Sequence, residues 1–369
     1  MINSIYTGLT IAIATALFVL GLLFRSLCGA IESPVFRTAL RIMLFTYCFF
    51  GLVNLLELCS RTFLPGADDA LLFQITTLII AVSQAFLFTY TLILLIHTAY
   101  VTRRRMLREL VPIITLSVLL VIVGFALPAA YARIPVYLFT LFYIWLLIRY
   151  TRLFVITYRE CLQKLDNFFS GPEEKHLKWV NVSFFAALGI GLLALAASMF
   201  PDVHFYIVCT TIYLLFYIYF AFRFIHYGFI YKKLETVLTD DDIQPGQPGT
   251  DRDLLPPALE KPFETNLKVW LDEKQFLQPG ITIEDVALRI GTNRRYLSEH
   301  INATIGKTFR QWINELRIAE AKNLMLQNPD MTLNAISSQV GYTDKSHFIR
   351  QFTKLTGISS KDYKQQGKS

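Results

Sequence analysis

The chain is expected to be all-α, a seven-transmembrane-helix bundle followed by a smaller helical domain built from two helix-turn-helix units. Three observations lead there. Seven long apolar runs fill the first two thirds, an acidic stretch rich in proline and glycine follows them, and the last third carries one supersecondary pattern twice.

Hydrophobic residues make up 54% of the chain, charged residues 17%, and the mean hydropathy is +0.44, far more apolar than a soluble globular protein. The last third is ordinary in composition, so the excess lies ahead of it. Each of the runs 5–27, 36–59, 71–101, 110–128, 135–156, 179–200 and 203–229 approaches or exceeds the ~20 residues that cross a ~30 Å hydrocarbon layer. The first run has no basic leader and exceeds a signal core, which makes it a retained span rather than a cleaved signal peptide. Cys28, Cys48, Cys59, Cys161 and Cys209 show no ligand spacing and read as small apolar packers, not as a disulfide framework or zinc site.

Loop charge sets the expected orientation. Arg25, Arg37 and Arg41 flank the first connection, Arg103, Arg104, Arg105 and Arg108 the third, and Arg149, Arg152, Arg159, Lys164, Lys175 and Lys178 the fifth. The alternate connections, around Arg61, Arg133 and Pro201, are poor in Lys and Arg. Positive connections face the cytoplasm, so seven spans put the N-terminus outside and everything after Phe229 inside a bacterial inner membrane.

Asn54, Glu57, Gln84, His97, His204 and Arg223 are the polar residues of interest within the runs. Glu57, His204 and Arg223 are expected to reach the interface. Asn54 and Gln84 are expected to make interhelical hydrogen bonds. Glu57 and Gln84 are also candidates to line an outward-opening ligand pocket. Domain boundaries follow: a bundle expected to act as the sensor over 1–231, a flexible acidic linker over 232–261 that starts with Lys232 and Lys233, and a DNA-binding tail over 262–369.

In the tail, Leu333, Ile336 and Val340 recur at helical spacing, Gly341 interrupts them, and a second run behind Asp344 places Phe348, Phe352 and Leu355 on one face. Glycine suits the left-handed backbone of a tight turn, and aspartate caps the free N–H groups of the helix that follows. About fifty residues earlier Ile283, Val286, Ile290 and Gly291, then Asn293, Leu297 and Ile301, repeat the pattern. Thr308 to Leu326 reads as a helix joining the two copies, and Pro262 to Phe276 as a leading helix. Such geometry lays its second helix in the DNA major groove.

The duplicated unit, the segment FRQWINELRIAEAKNLM and the run VGYTDKSHFIRQFTKLTGIS resemble the AraC/XylS family of transcription regulators from Pro262 to Lys364. Gly341, Tyr342, Ser346, Phe348, Arg350, Phe352 and Gly357 stand in the family's order. Ser360, where proline is usual, and Lys364, where arginine is usual, depart from it. The resemblance implies an all-helical domain that binds specific promoter DNA. With Leu297, Ile301, Phe348 and Phe352 turned inward, Arg294, Arg295, Ser298 and Glu299 in one recognition helix, and Lys345, Ser346, Ile349 and Arg350 in the other, are the base-reading candidates. Arg294 and Lys345, at the helix starts, are also placed for phosphate. His347 is left out as a residue split between packing and phosphate contact, and Arg317 is expected in a structural ion pair. From Pro262 onward fifteen Lys and Arg stand against eleven Asp and Glu.

No phosphate loop, HExxH or nucleophile elbow occurs, and the six histidines are scattered. The expectation is therefore a non-enzyme with no cofactor or metal, a one-component regulator whose bundle senses a cue. Its partners would be double-stranded promoter DNA and the lipid bilayer, with RNA polymerase and a second copy of the chain as further candidates. The competing reading is a membrane receptor or transporter whose helical tail is a protein-interaction module.

Overall fold

A computed structural model describes residues 2–63, 69–127, 131, 133–171, 174–200, 202–239 and 257–366. Fourteen α-helices form among the described residues and no strand does, so the all-α expectation holds. The chain divides into two compact units: Met1–Cys161 with His176–Thr239, and Leu162–Lys175 with Asp240–Ser369.

The first unit holds α1 (Ile2–Leu27), α2 (Pro34–Phe63), α3 (Asp69–Ile96), α4 (Arg103–Ala126), most of α5 (Arg133–Phe168), α6 (Glu174–Met199) and α7 (Val203–Thr239). All seven are long and apolar enough to cross a membrane. α3 stops at Ile96, ahead of a short 3₁₀ turn at Thr98–Tyr100, and α4 starts at Arg103 with Thr102 as its N-cap, earlier than hydropathy alone indicates. The reason is local: the four arginines that close the apolar window are good helix formers.

α3 is the central helix, with 78% of its apolar window buried, against 17% for α4. Aromatic contacts join α1, α2, α3 and α7: Phe24 meets Tyr47 edge-on at 5.0 Å, Phe36 stacks on Phe224 at 4.9 Å, and Phe88 packs on Phe220 at 4.6 Å. Tyr47 donates to the Tyr217 carbonyl at 2.8 Å, and the Tyr217 hydroxyl donates to Gln84 at 2.7 Å. Such bonds satisfy polar groups buried between apolar helices. Hydropathy gave no sign of the half-buried pair between α4 and α5, where Arg149 donates to Glu109 at 2.7 Å.

α7 continues to Thr239 and the next helix, α8, starts at Pro257, so part of the stretch read as linker is helical. Residues 240–256 of that stretch lie outside the described residues, as do Pro128 and Pro201.

The second unit contains α8 (Pro257–Asp272), a 3₁₀ turn at Gln275–Leu277, α9 (Ile283–Ile290), α10 (Arg294–His300), α11 (Phe309–Gln327), α12 (Leu333–Gln339), α13 (Lys345–Thr356) and α14 (Ser360–Gln366). α8 covers the first copy of the repeat as its apolar spacing predicts. Phe263 packs edge-on against Tyr296 at 4.9 Å, and Trp270 stacks on Trp312 of α11 at 5.7 Å. Around the second copy Ile318, Met325, Ile336, Val340, Phe348 and Phe352 form one buried cluster.

Candidate nucleic-acid interface

Each copy is held by local chemistry. In the first, Thr282 and Asp285 form a capping box: the Asp285 N–H donates to Thr282 Oγ1 at 3.2 Å and the Thr282 N–H to Asp285 Oδ2 at 2.9 Å. Gly291 ends α9 in the left-handed region at φ 76°, and Asn293 then caps α10 by accepting from the Tyr296 N–H at 2.8 Å. In the second, Thr332 caps α12, Gly341 turns the chain at φ 85°, and Asp344 accepts from the Ser346 N–H at 2.8 Å. Lys175 holds the Asp344 carboxyl well below the usual carboxylate range, at about 2, with the Ser346 N–H assisting.

α11 joins the copies. Its 19 residues span ~28 Å, comparable with one turn of DNA. Arg317 on this helix is buried, but the ion pair expected of it is not what the structure displays. Its guanidinium donates to the carbonyls of Phe276 at 2.9 Å and Gln278 at 2.6 Å, and lies over the Tyr342 ring. Burial pushes its pKa down to about 10, which leaves it charged at neutral pH. It acts as a clamp on the turn between α8 and α9. Tyr342 in turn donates to Asn314 at 2.7 Å.

The inward positions behave as their spacing predicts, since Leu297, Ile301, Phe348 and Phe352 are all buried. That leaves the eight candidates on the outer faces, with unequal access. Lys345, Ser346 and Arg350 of α13 are exposed, whereas Ile349 is half-buried and packs on the second cluster. Arg294, Arg295, Ser298 and Glu299 of α10 are all half-buried. Arg295 pairs with Glu299 at 3.3 Å, and Ser298 accepts from Asn302 at 3.3 Å. His347 is buried, edge-on to Tyr342 at 5.3 Å, which makes it a packing residue. Arginine, hydroxyl and carboxylate groups on two capped helices are donors and acceptors of the kinds that base edges can pair with.

Sequence spacing did not reveal that residues 162–175 belong to this unit. Arg310, in the first turn of α11, donates to Asp166 at 2.6 Å and to the Gly171 carbonyl at 2.8 Å. Lys175 meets Asp344 at 2.9 Å. Arg310 is one of three polar residues, with Asn314 and Arg317, that α11 buries among its apolar ones.

Glu57 and Gln84 border one small cavity of about 40 Å³, together with Tyr6, Asn54 and Tyr213. Glu57 is buried and accepts from the Tyr6 hydroxyl at 3.0 Å, so it does not reach the interface as expected. Gln84 makes the interhelical bond expected of it, to Tyr217, whereas Asn54 donates to the Phe50 carbonyl of its own helix. The space suits water-sized occupants. Among the described residues no group of His, Cys, Asp and Glu is placed to hold a metal ion.

Residues 286–366 match a protein-family model described as a helix-turn-helix domain. The chain is 31% identical over 87 residues to the lactose operon transcription activator of Staphylococcus xylosus, a match covering 24% of this chain and 31% of that protein. It is 32% identical over 89 residues to an uncharacterized HTH-type transcriptional regulator, YtdP, of Bacillus subtilis, covering 24% of this chain and 11% of that protein. The transcriptional activator NphR of a Rhodococcus species is 30% identical over 94 residues, 26% of this chain and 28% of that protein. The chain thus spans about a third or less of these relatives' lengths. No solved structure matches it. The C-terminal part thus matches a helix-turn-helix domain, and the relatives it resembles are named as transcription regulators or activators.

Proposed function

From a helix-turn-helix domain as premise, we propose that the chain is a membrane-anchored one-component transcription regulator, which binds specific promoter DNA through both helix-turn-helix units and responds to a cue received by its bundle. The observation that carries the reading is that two capped helices, α10 and α13, turn Arg, Lys, Ser and Glu outward on the same chain as seven membrane-length apolar helices. Val118, Ile122, Leu138, Leu141, Ile148, Leu215 and Phe222 of the bundle are each more than half exposed, an arrangement suited to lipid and costly in water. The reading assigns base contacts to Arg294, Arg295, Ser298, Glu299, Lys345, Ser346, Ile349 and Arg350. It places the N-terminus outside and the reader in the cytoplasm. Glu57 and Gln84 are the sensing candidates, and any occupant larger than water requires the cavity to widen.

The test is a selection from random duplex DNA with the full chain in lipid nanodiscs. A consensus with two half-sites about one helical turn apart is expected. Arg350→Ala should then relax one base pair at a cost of about 1–3 kcal/mol, while Lys345→Ala should weaken all sequences alike. Sequence-blind binding by the wild type would sink the proposal. Loss of every transcriptional response in the Glu57→Ala, Gln84→Ala double variant, at unchanged DNA affinity, is the outcome expected of a sensing cavity.

A further inference from the structure

The regulation of this same interface can be read from the segment 162–175, and the inference rests on the DNA-reading role proposed above. The segment is a built part of the second unit: Leu165, Asn167, Phe168, Phe169 and Ser170 are all buried. Its contacts fall at four places. Ser170 donates to the Ile281 carbonyl twice, from its N–H at 3.3 Å and its hydroxyl at 2.7 Å, and Phe169 forms an antiparallel bridge with Thr282, the N-cap of α9. The Phe168 ring lies 5.9 Å from the guanidinium carbon of Arg294, the first residue of α10. Asp166 and the Gly171 carbonyl take the Arg310 guanidinium at the start of α11. Lys175 takes Asp344, the N-cap of α13.

All four places are helix starts, and at three of them, those of α10, α11 and α13, a DNA backbone would be received. N-terminal N–H groups and the arginines beside them attract phosphate oxygens, and a carboxylate on Arg310 has the charge and the oxygen pair that a phosphate would offer. The two recognition helices differ accordingly: the outward residues of α10 are half-buried, while Lys345, Ser346 and Arg350 of α13 are exposed. We propose that residues 162–171, together with Lys175, are an intramolecular docking element that occupies the phosphate-facing starts of α10, α11 and α13, with Asp166 standing where a DNA phosphate would sit on Arg310. The docked form binds DNA weakly. Release of the segment uncovers Arg294 and Arg310 and permits both units to engage.

The experiment uses the full chain in nanodiscs and the duplex selected by the wild type. The Phe168→Ala, Lys175→Ala double variant, both substitutions lying in the segment and neither in the reader, is expected to bind that duplex about tenfold more tightly with its base preference unchanged. Hydrogen exchange across residues 281–296, measured without DNA, should rise with it. Arg310→Ala is expected to weaken binding and to lower the slope of log affinity against log salt by about one. In a chain with its native cysteines replaced by serine, Phe169→Cys with Thr282→Cys should bind more weakly when oxidised than when reduced. Equal or weaker binding by the double variant with faster exchange, or equal binding by the oxidised and reduced forms, overturns the docking inference while leaving a sequence-selective reader. If the wild type and every variant bind without base preference, the reading beneath the inference fails as well.

Discussion

Gly341 fixes the second helix-turn-helix through one absent side chain. Its φ of 85° lies where L side chains are strained, and a Cβ there would press into the Leu277 carbonyl oxygen. Gly341→Ala should destabilise the second unit by more than about 2 kcal/mol, measured as faster hydrogen exchange of α12 and α13. The turn was legible because the glycine breaks a periodic run. The close approach behind it was not, since Leu277 lies 64 residues earlier in the sequence. Arg317 teaches the same: an arginine in a helix suggests an acidic partner, and here it is spent on two carbonyls of a distant turn. His300 closes α10 against Phe263 at 5.0 Å, where burial lowers its pKa. The unfolded chain therefore binds that proton more readily than the folded one. Stability contributed by the neutral ring is complete above pH ~6.5 and is lost as the pH falls below it. Thermal unfolding from pH 7.5 to 5.5 should show this drop, and His300→Gln should flatten it.

At the level of elements, the recognition helices depend on their caps because each is short. α10 has seven residues and α13 twelve, too few for helix propensity alone to hold them in water. Asp344→Ala removes the acceptor for the Ser346 N–H and should cost about 1 kcal/mol, with exchange rising first in residues 345–348. Helix starts, the repeat, the connecting helix and the leading helix were all readable, because caps and periodicity act over a few residues. Uneven exposure of the base-reading candidates was not readable. It arises in part from Phe168, which stands 126 residues ahead of Arg294 and reads from composition as one apolar residue near a basic connection. For the same reason Arg149 read as a charge of the fifth connection, although the fold pairs it with Glu109, 40 residues earlier and on a different helix.

For the whole molecule, the proposed anchoring gives an orientation that can be checked. A fluorescent protein fused after Ser369 should mature inside the cell, while alkaline phosphatase at the same place should stay inactive. The opposite pattern would put the helix-turn-helix domain where there is no DNA. The seven long apolar helices were legible since length and apolarity are linear properties of sequence. Their ends were less so: hydropathy drops near residue 156, yet α5 continues to Phe168. That overrun has a mechanical meaning. α5 has 36 residues and so measures ~54 Å, of which a ~30 Å hydrocarbon slab would enclose little more than half. Under the proposed anchoring the twelve residues past 156 project ~18 Å as an unbroken rod, and a tilt of about 10° would sweep their end through ~3 Å, enough to break a hydrogen bond. In that orientation a small rocking of the helix would be largest at its end, where Asp166 lies.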